Sequence, residues 1–243
     1  MATVLILGAT SDMAMAIANK FASEKYNIQL AARNVSQLNP LVSDIAIRHN
    51  VRCTLHAFDA LNYKSHEAFF QNLMPKPEVT ICVFGYLGEN EKAITDADES
   101  ARIIETNYTG AVSILNVVAR YYAALKQGTI VGISSVAGLR GRQSNYIYGS
   151  AKAGFTAYLS GLRNRLFREN VHVLTVLPGF VATRMTEDLN PPKILTAQPA
   201  DVGIAVYNAV VKKRNLIYVR WFWRYIMLII RMIPEPVFKK LKL

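Results

Sequence analysis

A tyrosine and a lysine four residues apart, Tyr148 and Lys152, are the side chains best suited to acid–base chemistry. On a helix this spacing places both on one face, and an ammonium beside a phenol lowers the pKa of the phenol by stabilising the phenolate. Ser135, thirteen residues before Tyr148, directly follows a predicted strand. Its hydroxyl can hydrogen-bond the substrate oxygen on which Tyr148 would act. An isolated pair at this spacing is common on surface helices, but together with the serine it predicts proton transfer to or from a substrate oxygen.

A second candidate site follows the first predicted strand, where a glycine leads into a predicted helix. Such a turn presents backbone N–H groups and the positive end of a helix dipole, and both favour a phosphate. A single glycine after a strand can also be no more than a tight turn. The residues predicted to surround the phosphate are Gly8, Thr10, Ser11, Asp12 and Met13.

The end of the second predicted strand indicates which dinucleotide would bind there. A carboxylate at this position would bind the ribose of NAD, but the residue here is Ala32. Arg33 comes next, and an arginine there accommodates the 2′-phosphate of NADP. A solvated arginine at a strand end is the alternative interpretation. The sequence favours NADPH over NADH.

Length and composition exclude several classes of protein. The chain has 243 residues, 51% of them hydrophobic and 19% charged, which predicts a folded protein with a sizeable core and excludes a disordered chain. Its two cysteines, Cys53 and Cys82, are too few for a disulfide framework or a cysteine zinc site, so no metal is expected. Both cysteines lie in strand-like runs and are predicted to be buried free thiols.

Short apolar runs alternate with helical patterns along most of the chain. Apolar strands separated by helices predict a doubly wound, Rossmann-type α/β domain over residues 1–219, with a mostly parallel sheet and helices on both faces. The predicted strands are Val4–Leu7, Asn27–Ala32, Val51–Phe58, Val79–Phe84, Thr129–Ser134, His172–Leu177 and Leu216–Val219. Helices are predicted near 13–23, 36–49, 63–73, 98–126, 148–169 and 200–212.

The positive charge is concentrated at the end of the chain. The formal net charge is +11, of which +8 comes from residues 210–243. In a helix Arg220, Arg224 and Arg231 would share one face, and aromatic and aliphatic residues would fill the rest. This pattern predicts that residues 220–243 form an amphipathic helix in the headgroup region of an anionic membrane. Packing against another subunit of a homodimer or homotetramer is the alternative, and nucleic acid is disfavoured because the aromatic residues cluster with aliphatic ones.

The expected cellular location of the protein follows from the N-terminus and from the basic tail. The N-terminus has no basic region or cleavage site typical of a signal peptide. The longest uncharged stretch between the tail arginines, Tyr225–Ile230, is far shorter than the roughly 20 residues that cross a bilayer. The sequence therefore predicts a cytoplasmic protein attached peripherally to the inner face of the membrane.

The chain resembles the short-chain dehydrogenase/reductase family over roughly residues 1–220, and the Ser135, Tyr148 and Lys152 set carries most of that resemblance. It implies that Asn107 holds a water that relays protons toward Lys152, and that Tyr148 and Lys152 also contact the nicotinamide ribose. It further implies that Asp59 lies near the adenine ring. The other cofactor contacts that it implies are Gly85, Pro178, Gly179, Val181 and Thr183.

Two motifs depart from the usual family pattern. The glycine-rich turn GxxxGxG has Gly8, Asp12 and Ala14 at its three glycine positions. A carboxylate there is unfavourable near a pyrophosphate unless it caps the helix or faces away. In the segment after the fourth strand, Phe-Gly-Tyr-Leu-Gly replaces the family's usual residues. With the first turn, this segment resembles the branch that reduces polyprenyl-phosphate-linked keto-pentoses, such as decaprenylphosphoryl-2-keto-ribose reductase.

These observations predict an NADPH-dependent carbonyl reductase, or the reverse dehydrogenase. The segment that builds substrate pockets in the family, here Thr183–Gln198, mixes apolar and basic residues, as a cover over an amphiphile would. The expected substrate is a keto-sugar on a polyprenyl phosphate, with a long-chain keto-lipid as the second choice. A non-catalytic dinucleotide-binding protein that uses its tail for interaction is the opposed hypothesis, which the complete Ser/Tyr/Lys/Asn set disfavours.

Overall fold

Seven strands form one parallel sheet in the computed structural model. The structure describes residues 1–189 and 192–241, and for residues 187–189 it describes the backbone alone. The strand order is β3-β2-β1-β4-β5-β6-β9, and it reverses between β1 and β4. The strands are β1 (Thr3–Leu7), β2 (Asn27–Ala32), β3 (Cys53–Ala57), β4 (Val79–Cys82), β5 (Thr129–Ile133), β6 (His172–Pro178) and β9 (Leu216–Val219), and a separate short parallel pair is β7 (Phe180–Val181) and β8 (Thr196–Ala197). This confirms the predicted doubly wound α/β fold.

Helices cover both faces of the sheet, as crossover connections between parallel strands require. They are α1 (Asp12–Ser23), α2 (Asn39–His49), α3 (His66–Gln71), α4 (Asn90–Thr95), α5 (Ala97–Ile104), α6 (Gly110–Leu125), α7 (Tyr146–Leu166), α8 (Pro199–Val211), α9 (Trp223–Met232) and α10 (Glu235–Phe238). One apolar cluster lies between the sheet and α1, α2 and α8, and a second lies between the sheet and α3, α6 and α7. Central strand residues such as Leu5 and Ile6 are fully buried because each strand is covered on both faces.

All seven predicted strands are present, but β3 begins two residues later and ends one residue earlier than predicted, and β4 and β5 end two residues and one residue earlier. The predicted helix 98–126 is in fact α5 and α6 joined by a π-helical turn, Glu105–Thr109. Such turns insert an extra residue and displace the side chains that follow. At its end Gly110 approaches the carbonyl oxygen of Ala60, which a Cβ on this glycine would meet at 2.5 Å.

Of the two cysteines, only Cys82 is fully buried, and Cys53 is partly exposed. Both are free, and burial raises the pKa of each thiol to about 12. They are therefore inert thiols at neutral pH.

The tail folds back onto the domain. The rings of Trp223 and the side chain of Met227 are almost fully buried against residues that follow β5 and β6. Arg140 holds the far end of α9, since its guanidinium donates to the carbonyl oxygen of Ile233 at 2.7 Å and stacks on Phe238 at 3.6 Å. No helix of the described residues is long and apolar enough to cross a membrane.

The arginine pattern predicted for the tail is only partly correct. Arg224 and Arg231 lie on α9, but Arg220 precedes the helix in a left-handed conformation with φ of 64°. Its guanidinium donates to the carbonyl oxygen of Thr196 at 3.1 Å, so it binds the domain and is not on the helix face. Residues 242–243 of the predicted tail, and residues 190–191 of the predicted substrate segment, lie outside the described residues.

The close packing of α1 and α8 gives a test of the fold with a matched control. A Cβ on Gly203 would lie 2.6 Å from the carbonyl oxygen of Ala16, which is backbone and cannot move cheaply. We expect Gly203→Ala to lower the free energy of unfolding by about 1–3 kcal/mol. Gly161→Ala, also within a helix but with nothing within 4 Å, should raise it by about 0.5–1 kcal/mol. Urea unfolding measures both, and an equal gain for the two variants would contradict this packing.

Candidate active site

The predicted acid–base residues come together at the carboxyl end of the central strands. Ser135 follows β5 and begins a short helical turn, where its hydroxyl accepts from the N–H of Ala137 at 3.1 Å. Tyr148 lies in the first turn of α7, and Lys152 lies one turn further along. The ammonium of Lys152 is 5.7 Å from the centre of the Tyr148 ring. The predicted set therefore occupies one site.

Lys152 is nearly inaccessible, with only 3% of its surface exposed. Its ammonium donates to the carbonyl oxygen of Ile133 at 3.2 Å, at the end of β5. A Cβ on Gly85 would lie 3.3 Å from this ammonium. The glycine that follows β4 therefore leaves the room in which the lysine reaches the site.

Asn107 reaches the same glycine from the π-helical turn. Its amide nitrogen donates to the carbonyl oxygens of Tyr86 at 2.6 Å and Ile103 at 2.8 Å, and its amide oxygen accepts from the N–H of Tyr86 at 3.2 Å. A Cβ on Gly85 would approach this amide oxygen to 2.9 Å. The asparagine thus fixes the segment after β4 beside Lys152. Its predicted water relay stays a prediction.

Burial sets the proton affinities of the two titratable groups. It raises the pKa of Tyr148 to about 12, and the neighbouring Ser135 side chain opposes this increase. It also lowers the pKa of Lys152 to about 8. The net shift of the Tyr148 pKa is upward, not downward as expected, because burial of the phenol is its largest cause. The phenol therefore keeps its proton at neutral pH.

A cavity of about 330 Å³ opens at the point where the strand order reverses, between β1 and β4. In doubly wound sheets this crevice is where dinucleotides bind. Of the residues predicted to bind the cofactor, those that line it are Gly8, Thr10, Ser11, Asp12, Met13, Arg33, Asp59, Gly85 and Thr183.

The turn after β1 fits a phosphate. Gly8 has φ of +89°, and a Cβ there would lie 2.6 Å from the backbone nitrogen of Phe84, so only glycine is tolerated. The hydroxyl of Ser11 caps α1 by accepting from the N–H of Ala14 at 3.2 Å. The positive end of α1 therefore faces the cavity. These residues fit the pyrophosphate of a dinucleotide, which would bring a nicotinamide able to transfer hydride.

Asp12 neither caps the helix nor stays unpaired. Its carboxylate accepts from the N–H of Arg184 at 3.0 Å and pairs with the Arg184 guanidinium at 3.3 Å. The same guanidinium donates to the carbonyl oxygen of Thr10 at 2.6 Å. A neighbouring cation therefore compensates the carboxylate that replaces a family glycine. Arg184 also ties the segment after β7 to the phosphate turn.

The segment after β6 contributes less to the cavity than predicted. Pro178 and Val181 are buried in β6 and β7, and Gly179 lies under the indole of Trp223. None of the three lines the cavity, whereas Thr183 does. Sequence reasoning also missed Arg102 and Thr106. Both line the cavity, and the available signal was their separation of four residues, which places them on one face of the predicted helix.

The fold and site define a nucleotide-dependent oxidoreductase. A model of the short chain dehydrogenase family matches residues 2–194, and the chain belongs to that family. It is 32% identical over 243 residues to an uncharacterized oxidoreductase of Mycobacterium tuberculosis, covering 99% of this chain and 97% of the relative.

Two solved structures share the fold. A short-chain dehydrogenase from Sphingobium yanoikuyae in complex with NADPH superposes with a TM-score of 0.83 and 22% identity, covering 94% of this chain and 92% of that one. A 3-oxoacyl-[acyl-carrier protein] reductase from Brucella melitensis in complex with NAD superposes with a TM-score of 0.81 and 19% identity, covering 92% and 97%. At these identities the likeness shows the fold alone.

The low pKa of Lys152 predicts how activity depends on pH. The ammonium loses its proton as the pH rises through about 8, and with it the charge beside Tyr148. We expect kcat/KM for the reduced dinucleotide, which reports ionisations of the free enzyme, to fall about tenfold per pH unit above this pKa. Initial rates from pH 6 to 10 measure it. Lys152→Arg keeps its charge, so its residual activity should lack this decline. A wild-type profile that stays flat to pH 10 would contradict the assignment.

Proposed function

We propose that the protein is an NADPH-dependent carbonyl reductase that acts on a keto-sugar carried by a polyprenyl phosphate, at the cytoplasmic face of a membrane. The observation that carries the reductase assignment is the meeting of Lys152 and Asn107 at Gly85, beside Tyr148 and Ser135. This arrangement brings a proton donor and a buried cation beside Gly85, which lines the dinucleotide cavity, although Tyr148 and Lys152 do not line it themselves.

The chain's own residues would manage the proton in this reaction. Bound NADPH supplies the hydride that the carbonyl carbon receives. The hydroxyl of Ser135 hydrogen-bonds the carbonyl oxygen, and the phenol of Tyr148 donates the proton that completes the alcohol. Because the pKa of Tyr148 is raised, the phenol is protonated at neutral pH and suited to reduction. Asn107 and Gly85 keep Lys152 beside the phenol, where its charge stabilises the phenolate that remains.

Arg33 supports NADPH as the cofactor. It lies exposed at the end of β2 and lines the cavity, whereas Ala32 provides no carboxylate for a ribose hydroxyl. A guanidinium forms strong, charge-assisted hydrogen bonds with a phosphate. The Sphingobium neighbour was solved with NADPH and the Brucella neighbour with NAD, so these two structures do not favour either dinucleotide. The proposed preference for NADPH therefore rests on Arg33.

The outward face of α9 supports attachment to a membrane. Tyr225, Leu228, Ile229 and Met232 are all more than half exposed and lie along one stripe of the helix, and Trp221 precedes them at 74% exposure. Arg224 and Arg231, also exposed, lie together along one edge of this stripe. Aromatic and aliphatic residues beside cations are typical of a helix in the headgroup region of an anionic bilayer. Contact with a second subunit of a homodimer or homotetramer is the competing explanation.

The proposed substrate rests on this surface and on the resemblance of two segments. The turn at Gly8 and the segment at Gly85 resemble those of reductases of polyprenyl-linked keto-pentoses. A reductase held at a membrane gains from its position only if its substrate is also there. A long-chain 3-ketoacyl compound is the second candidate, favoured by the name of the Brucella neighbour.

Turnover tests the reaction and the substrate together. We expect NADPH, and less well NADH, to be oxidised with detergent-dispersed polyprenyl-phosphoryl keto-pentose. Tyr148→Phe should lower kcat by about 10²–10⁴-fold because the proton donor is lost. Tyr146→Phe, two residues away at a partly exposed phenol, is the matched control and should retain full activity.

Three outcomes would overturn parts of this proposal. Full kcat in Tyr148→Phe would remove the acid–base assignment. Turnover of a 3-ketoacyl thioester alone would replace the keto-sugar with the second candidate. Equal rates with both dinucleotides would remove the proposed role of Arg33.

Co-sedimentation with vesicles tests the membrane surface. Deleting the tail would also expose the core around Trp223, so substitutions on the outward face are cleaner. The double variant Trp221→Gln with Ile229→Gln should lower binding to phosphatidylglycerol vesicles by at least about tenfold, given roughly 1.5–3 kcal/mol for a buried apolar side chain. Ile47→Gln with Phe167→Gln removes two apolar residues elsewhere that are even more exposed, and this variant should bind like the wild type. A wild-type protein that ignores these vesicles and forms dimers through α9 would favour the subunit interface.

A further inference from the structure

Three buried polar atoms without hydrogen-bond partners lie near the end of α7 that carries Tyr148. They are Nε of Arg142, Oδ1 of Asn90 and Oδ1 of Asn145. The three residues belong to one connected piece of structure. The amide nitrogen of Asn90 donates to the carbonyl oxygen of Gln143 at 3.3 Å, and the N–H of Asn145 donates to the carbonyl oxygen of Arg142 at 3.2 Å. Buried polar groups are normally paired with protein, water or a ligand, so these atoms are free to bind water or a ligand.

The cluster lies between the proposed proton donor and the tail helix. Arg142 and Asn145 are in the loop that joins the turn at Ser135 to α7, and Asn145 immediately precedes that helix. Asn90 begins α4, just after the segment that contains Gly85. On the other side, the guanidinium of Arg142 is 3.8 Å from the sulfur of Met227 on the inner face of α9. A molecule reaching from Tyr148 to α9 would pass this loop.

Arg142 differs from the other partly buried arginines in having no polar partner. Arg163 donates to the carbonyl oxygen of Val173 at 2.8 Å and to the hydroxyl of Thr175 at 2.6 Å. Arg140 donates to backbone carbonyl oxygens at the end of α9. For Arg142, the described residues provide only the Met227 sulfur, and none of their carboxylates lies within 4 Å.

Burial lowers the pKa of the Arg142 guanidinium, which nevertheless stays charged at neutral pH. Arg142 is partly buried, and even partial burial of a cation without an opposing charge costs free energy. That cost falls when an anion binds, and a planar guanidinium is suited to a phosphate because it can donate two parallel hydrogen bonds. The two unpaired amide oxygens are acceptors, so they need donors such as sugar hydroxyls.

We propose that Arg142 binds the phosphate that joins sugar to lipid in the substrate, and that Asn90 and Asn145 accept hydrogen bonds from the sugar. This assignment rests on the proposed function and specifies its substrate contacts. The sugar carbonyl would lie at Tyr148, the phosphate at Arg142 and the first isoprene units against α9. Arg142 is therefore a residue that determines specificity for a phosphate-linked substrate.

Binding of farnesyl phosphate to the NADPH-loaded enzyme tests this site without any turnover. We expect Arg142→Gln to weaken farnesyl phosphate binding by at least about tenfold, the effect of roughly 1.4 kcal/mol lost from a charge-assisted hydrogen bond. Farnesol, which lacks the phosphate, should bind both proteins equally. Arg168→Gln removes the same charge at the exposed far end of α7 and should change neither. Titration calorimetry measures the affinities of all three proteins for both ligands, and melting temperature reports folding.

Kinetics separate this site from the catalytic residues. Arg142→Gln should raise KM for the polyprenyl-phosphoryl keto-pentose about tenfold and change kcat less, with NADPH affinity unchanged. Asn90→Ala should raise the same KM but leave farnesyl phosphate binding unchanged. If Arg142→Gln does not fold, Arg142→Lys keeps the charge without the planar fork, and it should bind farnesyl phosphate several-fold more weakly than the wild type.

Some results would overturn the site and others only the proposed function. Unchanged farnesyl phosphate affinity in folded Arg142→Gln, or in Arg142→Lys where the glutamine variant is unfolded, would overturn the site even if the wild type reduces the keto-sugar. Arg142-dependent binding in an enzyme that does not reduce it would support the site and overturn the substrate. If Arg142→Gln loses as much binding to phosphatidylglycerol vesicles as to farnesyl phosphate, the anion is a lipid headgroup and the proposed substrate contact is overturned. Equal binding of inorganic phosphate would remove the role of the lipid.

Discussion

The burial of one ammonium group organises this active site. Lys152 is almost completely enclosed, and its charge is held by the carbonyl oxygen of Ile133 at the end of β5. It has room only because Gly85 carries no side chain, and Gly85 stays in place because Asn107 binds the backbone of Tyr86 on both sides. The π-helical turn is what aims Asn107 at that backbone. Sheet, turn and helix thus meet around a single charge.

A second constraint couples the tail to the same region. Trp223 covers Gly179, where a Cβ would come within 2.0 Å of the indole, and its ring nitrogen donates to the carbonyl oxygen of Leu195. Arg140, just after the turn that begins at Ser135, binds the carbonyl oxygens at the end of α9. Movement of α9 would therefore disturb both the segment after β6 and the loop before Tyr148. The tail therefore packs against the segments that flank the site as well as forming part of the surface.

Much of this arrangement could be predicted from the sequence because it depends on local patterns. The seven strands follow from apolar runs, and the pairing of Tyr148 with Lys152 follows from helical spacing. The π-helical turn could not be predicted, since nothing in Glu105–Thr109 distinguishes it from ordinary helix. The pairing of Asp12 with Arg184 could not be predicted either, because 172 residues separate the two in the sequence. The prediction that Arg220 lies on the tail helix was wrong because Arg220 precedes that helix, so helical spacing does not apply to it.

Two unfavourable features lie on opposite sides of α9. On the inner side the Arg142 guanidinium touches Met227 without an opposing charge among the described residues, and on the outer side Ile229 and its neighbours expose an apolar stripe. Neither feature stabilises the isolated protein, since a partly buried cation without an opposing charge and an exposed apolar area both cost free energy. A membrane would cover the outer stripe, and an anionic amphiphile drawn from it would supply the missing charge inside. One amphiphilic environment thus accounts for both features, whereas a small neutral ketone in water accounts for neither.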